Sequence, residues 1–403
     1  MLYKLYLGDV GNSAMSKCPR ALLSLSLVAL ASLGCSYTPI RNTKSSSWTF
    51  AVVGDSRNCG NVVMPAIADG ARRDGAAFFW HLGDLRAIYK IDEDFANEQQ
   101  FRTAPPPSMA DYLQDAWTDF AQHQITPFGQ MPFYLGIGNH ETIPPKTLSQ
   151  FRFEFRSLLD RPELHAQRAH DVESTPVIPH TAADQTYFHW VSHGVDFINL
   201  DNASGDAFDD AQLAWFDAVL AADLGDISIR SIVVGMHEAL PYSKSDNHSM
   251  CRNTSGVHSG LHVYLKLVEA QRSKLVYVLA SHSHYYLADI FNTPHWQDAG
   301  VAGAVLPGWV VGTAGAERNP LPPETSSGPD AREHAYGYLL GTVTADGNVT
   351  FAFRELTEKD LQRLRSDDLT ENIVKYCVEN NPTLEAMHAK TSGDNQCDRH
   401  AAH

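Results

Sequence analysis

The chain has 403 residues, 43% of them hydrophobic, and a formal net charge of −16 at pH 7. That length accommodates one large domain or two ordinary ones, and a mean hydropathy of −0.26 describes a soluble globular protein. The acidic balance excludes the broad basic footprint of a nucleic-acid binder, so no nucleic acid is expected as a partner. A small anion drawn to a locally cationic centre is expected instead.

In chain order, Lys17 and Arg20 form a basic flank, and Ala21 to Leu33 an apolar stretch that ends at Gly34-Cys35. This is the pattern of an export signal, with better proportions if it starts at Met15. Gly34-Cys35 resembles a bacterial lipoprotein cleavage site, although Ser32 stands where a leucine is usual. Residues 1–35 are therefore read as a signal peptide of the lipoprotein type with Cys35 lipidated; simple secretion and an uncleaved anchor are the alternatives. Residues 36–47 are polar and serine-rich and read as a tether. The protein is expected to be exported, periplasmic or at the cell surface, touching the membrane only through Cys35.

From Trp48 onward, apolar strands alternate with helical stretches. Val62 to Arg73 has helical periodicity between the first two strands, a β-α-β opening. Pro105-Pro106-Pro107 marks a loop, Met109 to Gln122 reads as a helix, and Thr147 to Ala169 as a helical insertion. Thr186 to Trp190 and Val195 to Leu200 alternate as a hairpin about His193-Gly194. Asp209 to Ala222 reads as an amphipathic helix, Tyr242 to Ser259 as a polar surface loop, and Leu261 to Arg272 as another helix. Trp309 to Val311, Tyr336 to Thr344 and Val349 to Phe353 complete the strands. Residues 48–354 are thus read as one domain and residues 355–403 as a charged, helical C-terminal extension.

Five of the apolar runs break off at residues able to bind metal. Phe50 to Gly54 precedes Asp55, Phe78 to Gly83 precedes Asp84, and Phe133 to Gly138 precedes Asn139-His140. Ile232 to Gly235 precedes His237, and Leu275 to Ala280 precedes Ser281-His282-Ser283-His284. Strands of an open α/β sheet present their carboxyl ends on one edge, where ligands bind, so these donors are expected to converge. A mixed set of carboxylate, amide and imidazole suits manganese, iron or zinc.

The ordered set Gly54-Asp55, Gly83-Asp84, Gly138-Asn139-His140-Glu141, Gly235-Met236-His237 and His282-Ser283-His284 resembles the calcineurin-like metallophosphoesterase superfamily. The resemblance runs from about Trp48 to Phe353. It implies an α/β fold of two packed mixed β-sheets flanked by helices, in four αββα layers. It further implies two divalent or mixed-valence metal ions, with Asp84 bridging them. Asn139, His237 and His282 would complete the second ion's shell, and Asp55 and His284 would hold the first. His140 would be the general acid for the leaving alkoxide, and a metal-bridging hydroxide the nucleophile.

The first motif departs from the family's Asp-x-His, reading Asp55-Ser56-Arg57. The tyrosine that purple acid phosphatases place three residues after the second aspartate is here Ala87, and Tyr89 lies two residues beyond. Arg57 either points its guanidinium at the substrate phosphate or pairs with a neighbouring carboxylate. The function implied is hydrolysis of small phosphomonoesters. The alternatives are a phosphodiesterase or nucleotidase of the same fold, and a non-catalytic phosphate-ligand-binding protein with a degenerate first metal site.

Other polar residues read more plainly. His81 is expected as a satisfied core histidine, His189 and His193 as partly exposed hairpin residues, and His248 and His258 as surface. Glu141 is read as supporting, either orienting His140 or accepting backbone donors. Asp201 and Asn202 read as turn residues, and Asp206 to Asp210 as a solvated helix start. With Cys35 set aside, Cys59, Cys251, Cys377 and Cys397 suggest two disulfides in an exported protein, in any of three pairings. The expected pairs are Cys59–Cys251, both beyond ligand-bearing segments, and Cys377–Cys397 in the tail.

Overall fold

The structure, a computed structural model, describes residues 47–98, 105–175, 177–245, 248–323, 325–364, 369–381 and 396–401. The predicted signal segment, Cys35 and the tether up to residue 46 lie outside the described residues. Among the described residues no helix is long and apolar enough to cross a membrane.

Strands β1 (Trp48–Val53), β2 (Ala76–His81), β3 (Phe133–Leu135), β11 (Gly337–Val343) and β12 (Val349–Glu355) form one sheet in the order β12-β11-β1-β2-β3. The other sheet contains β4 (Phe188–Ser192), β5 (Val195–Asn199), β6 (Ser231–Gly235), β7 (Leu275–Ala280), β8 (Tyr286–Ala288), β9 (Gly308–Val311) and β10 (Ala331–Arg332). Its order is β10-β8-β9-β7-β6-β5-β4. β1, β2 and β3 run parallel, as do β5, β6, β7 and β9, while β12–β11, β11–β1, β4–β5, β8–β9 and β10–β8 pair antiparallel, so both sheets are mixed. β8 and β10, short and lacking a long apolar run, escaped the sequence reading.

The two-residue period of a strand sends alternate side chains to opposite faces, and both faces here are dry. Phe197, Val233 and Leu279 turn toward the first sheet, whereas Ile198, Ile232, Val234 and Val278 pack with Trp215, Phe216, Tyr264 and Leu267 from covering helices. That explains why the central strands read as unbroken apolar runs. Phe50 meets Phe197 edge-on at 5.0 Å, and Phe78 meets Trp190 at 5.5 Å, so aromatic rings join sheet to sheet. Helix Gly60–Arg73 buries Val63, Met64 and Ile67 on the first sheet. The result is the four-layer α/β arrangement.

The predicted helices form, with boundaries set by local caps. Ser108 and Asp111 make a reciprocal capping box ahead of helix Met109–Phe120. The expected insertion over 147–169 divides into Leu148–Glu154, Arg156–Leu159 and Pro162–Ser174, with Pro162 at a helix start that needs no donor.

Three expectations are corrected. Tyr242 to Ser259 is not an exposed loop: Tyr242, Ser243, Ser245, Ser249, Met250 and Cys251 are buried, and a helix runs over Thr254–Ala270. Asn253 caps it, accepting from Gly256 N at 2.7 Å. Serines tolerate burial where each hydroxyl finds a partner, as Ser245 Oγ does with Tyr285 Oη at 3.1 Å. The disulfides are Cys59–Cys377 and Cys251–Cys397, because Cys59 and Cys251 serve different sheets and the tail visits both. Its helices Glu358–Arg363 and Glu371–Glu379 bury Leu361, Ile373, Val374 and Cys377 in the same core as β1 and β11.

The third correction is His189, which is buried in the hairpin. Its Nδ1 lies 2.9 Å from Asp196 Oδ2 and its Nε2 3.0 Å from Asp171 Oδ2. Burial alone would discharge the imidazole, but Asp196 and Asp171 outweigh it and push its pKa up to about 10. A folded-state pKa above the ordinary 6.5 contributes stability that is complete below 6.5 and lost as pH climbs to about 10. His189→Gln is therefore expected to cost roughly 3–5 kcal/mol near neutral pH by leaving buried carboxylates uncompensated. Thermal melts should show the gap to wild type narrowing between pH 6.5 and 10; a constant gap counts against the charged pairing.

Candidate metal centre

Each predicted ligand sits just beyond the carboxyl end of a parallel strand, and three of them stand on backbone that few residues adopt. Asp55, Asp84 and His282 have φ of 64°, 60° and 65°, a left-handed region costly for side chains with a Cβ and found mostly where function requires it. The strand-end turns lock onto one another: Asp55 N donates to Gly83 O and Ser56 N to Asp84 O, both at 2.9 Å. A side chain at Gly138 would collide with the Asp84 carboxylate, which is why glycine precedes Asn139-His140.

Asp84, Asn139, His237 and His282 meet at a point. His237 Nε2 lies 3.0 Å from His282 Nδ1, 3.1 Å from Asn139 Oδ1 and 3.3 Å from Asp84 Oδ1. One imidazole N–H cannot serve three acceptors, and four donor atoms this close together could hold a shared cation. Asp55, Asp84, His237 and His282 are all buried within that group.

The carboxylates repeat one arrangement. Asp55 Oδ2 accepts from His282 N at 2.7 Å and Asp84 Oδ1 from His140 N at 3.1 Å. Their other oxygens, Asp55 Oδ1 and Asp84 Oδ2, are buried without a hydrogen-bond partner. An anionic oxygen desolvated in this way is expensive unless a cation faces it, and the oxygen and nitrogen donors fit a divalent ion.

The field inside the centre has the same sign. Burial opposes ionisation of Asp84, but the charges of His140, His237 and Arg57 hold its carboxyl well below the ordinary range. Burial would likewise discharge His237, yet Asp84 pushes it up to about 10. His140 moves the other way, lowered chiefly by burial.

Around Asp55 and His284 the surroundings differ. Arg57 Nη1 is 2.5 Å from Glu317 Oε2, so the ion-pair expectation is met. Its Nη2 lies 3.2 Å from His284 Nε2, and its Nε 3.9 Å from Asp84 Oδ2. His284 Nδ1 donates to Glu317 O at 2.7 Å, while its Nε2 is also 3.4 Å from Asp55 Oδ1. Lys90 pairs with Glu317 as well. Tyr89 Oη comes within 3.5 Å of Arg57 Nη1, and its ring within 5.4 Å of His140.

Supporting residues complete the site. Glu141 accepts from Asp84 N and Leu85 N at 2.9 Å and from Gly138 N at 2.8 Å. It thereby clamps two ligand loops together and leaves His140 to be oriented by Ala87 O, 2.7 Å from Nδ1. His237 Nδ1 donates to Leu82 O at 2.9 Å. His81 is a satisfied core histidine, with Nε2 3.0 Å from Ser56 Oγ and Nδ1 accepting from Gly83 N. His248, expected at the surface, stacks edge-on against His282 at 5.2 Å.

Three contributors went unread in the sequence. Gly312 follows β9, and a Cβ there would press on Asp55 Oδ2 at 2.6 Å; a glycine closing an apolar run was the signal used for four of the other five strands. Glu238 is buried with Oε1 lacking a hydrogen-bond partner, 3.9 Å from His282 Nε2 and 3.3 Å from Arg252 Nη1. Glu317 lies in a loop with no pattern to mark it.

No family model and no curated protein matches the sequence. By shape, the chain is similar to a purple acid phosphatase from seeds of yellow lupin, Lupinus luteus, with a TM-score of 0.52 and 13% identity. That match covers 82% of this chain and 55% of the lupin protein, so the chain spans about half the length of that relative. A dimetal phosphatase from Danio rerio aligns at a TM-score of 0.40 and 12% identity, covering 76% of this chain and 98% of its own. GAP50 of Plasmodium aligns at 0.46 and 11%, covering 86% and 99%. The chain shares the fold of that purple acid phosphatase, two mixed sheets covered by helices. With the cluster of Asp55, Asp84, His237 and His282, the region is a candidate metal site.

Glu141→Gln exchanges an acceptor for a donor among three backbone N–H groups. Calorimetric titration with Zn²⁺ is expected to show affinity lowered roughly 10–100-fold, with far-UV dichroism unchanged. Wild-type affinity would remove Glu141 from the support of the centre.

Proposed function

We propose that the chain is an exported, metal-dependent hydrolase of phosphoesters, acting on small phosphomonoesters. The observation that carries the reading is the gathering of three ligand atoms about a fourth, His237 Nε2, beside two carboxylate oxygens without hydrogen-bond partners. Two disulfides fit an exported protein, and attachment through a lipidated Cys35 belongs to the same proposal. The net charge of −16 disfavours nucleic acid as a partner.

Divalent metal held by Asp84, Asn139, His237 and His282, with Asp55 and His284 on the other side of Asp84, would supply Lewis acidity and a lowered water pKa. The chain's own groups do the rest. Asp84 offers one oxygen on each side of the centre, with its backbone fixed by Glu141. His140 spends Nδ1–H on Ala87 O, so any proton it gives a leaving alkoxide departs from Nε2, 3.5 Å from Asp84 Oδ2. Arg57 and Arg252 bring positive charge to opposite sides of the ligand cluster, near His284 and His282, where negative charge develops on phosphoryl oxygens. Burial of Asp84, His140 and Arg57 excludes bulk water around them and strengthens their interactions.

Asp84→Ala should abolish metal uptake and turnover of p-nitrophenyl phosphate together; turnover at the wild-type rate would refute the assignment. His140→Ala should retain metal and slow hydrolysis roughly 10²–10⁴-fold, as loss of a general acid does. Preference for bis(p-nitrophenyl) phosphate would favour a diesterase instead. The contact of Arg57 with His284 favours a second reading, a phosphate-binding protein, for which metal uptake without hydrolysis under any divalent ion would be the sign.

A further inference from the structure

We infer that Arg57 stands in the place of the first metal ion, so that the centre takes one divalent ion and carries a guanidinium as its fixed second positive charge. The inference deepens the reading given under Proposed function and rests on the same metal centre.

The donors left for a first ion are Asp55, Asp84 and His284, and Arg57 engages that set. His284 Nδ1 donates to Glu317 O at 2.7 Å, so the ring's lone pair is on Nε2. Arg57 Nη2, 3.2 Å away, is aimed at it. One lone pair cannot accept a guanidinium N–H and ligate a cation at once. At its other edge the same guanidinium faces Asp84 Oδ2 across 3.9 Å, the oxygen that a first ion would share. Asp55, Asp84 and Glu317 together form a negative wall, and an arginine is charged at every accessible pH.

The guanidinium is also held from behind. Glu317 Oε2 takes Nη1 at 2.5 Å, and the loop that carries Glu317 is tied to the C-terminal tail: Asn381 Nδ2 donates to Gly315 O and Ala316 O at 3.1 Å. On the Arg57 side, Asn58 Nδ2 donates to Asn381 Oδ1 at 2.7 Å, and Cys59 is disulfide-bonded to Cys377. Both flanks of the guanidinium are thus fastened to one short stretch of tail. Nε keeps its hydrogen without a partner although Arg57 is only 7% exposed. That N–H is the donor available to a phosphoryl oxygen bound beside Asp84.

The test counts ions without using substrate. Purified full-length protein is saturated with Zn²⁺, passed over a chelating resin and analysed for metal. Wild type is expected to retain one ion per chain. Arg57→His, which restores an imidazole at the family's position, and Arg57→Ala, which clears the space, are each read for a second ion, with melting temperature reporting the fold. A gain to two ions in either variant supports the inference. Two ions in wild type, or one ion in both folded variants, would overturn it. A protein that binds one ion and hydrolyses no phosphoester would sink the hydrolase reading and leave this inference standing.

Discussion

Two carboxylates withdrawn from water set the terms for everything near them. Asp55 and Asp84 are completely buried at the ends of adjacent parallel strands, and transferring such an ion from water costs several kcal/mol before any partner is found. Backbone N–H groups satisfy one oxygen of each, and the other waits for positive charge. The guanidinium of Arg57 and the capacity for a divalent cation answer that requirement. Left-handed backbone at both residues adds strain that pairing must also offset.

The site is a seam between layers, which ties its geometry to the core. Asp55, Asp84 and Asn139 arrive from β1, β2 and β3 of one sheet; His237 and His282 arrive from β6 and β7 of the other. Nothing in either sheet alone fixes the distance from Asp84 to His237. Phe50 against Phe197 and Phe78 against Trp190 help set it, because a close-packed interior resists displacement. Trp80 extends the link: its Nε1 donates to Asn199 Oδ1 at 2.9 Å, across the sheets. Residues read simply as core are thus what align the two halves of the ligand set.

What the sequence made legible follows from what is local. An apolar run of strand length broken off at a glycine or serine is a local signal, and it singled out Asp55, Asp84, Asn139, His140, His237, His282 and His284. The helices read from Met109 and Asp209 were equally visible, since helical periodicity is also local. Partnerships across the chain were not visible. Cys59 finds Cys377 at a separation of 318 residues, and no spacing rule chooses among three pairings. Glu317 matters because a distant arginine lies opposite it. The serine-rich run before Thr254 misled for a related reason: polarity forecasts exposure only when no internal partners exist, and here they do. His189 erred likewise, because hairpin residues are ordinarily wet and its two aspartates come from a helix and the next strand.

The tail, which reads as an appendage on charge alone, acquires its meaning from the same carboxylates. A divalent ion brings its own binding energy, so a loose loop can close around it. A guanidinium cannot do this: it has no Lewis acidity, and its benefit lies in directional N–H groups that must already point correctly. Replacing an ion by an arginine therefore demands a stiffer surround, and Cys59–Cys377 with the hydrogen bonds of Asn381 supplies one directly behind Arg57 and Glu317. A covalent link of this kind persists only in an oxidising compartment. Export, disulfide and the electrostatics of the site then form one chain of dependence, in which the compartment sustains the crosslink, the crosslink steadies the guanidinium, and the guanidinium neutralises the buried acid.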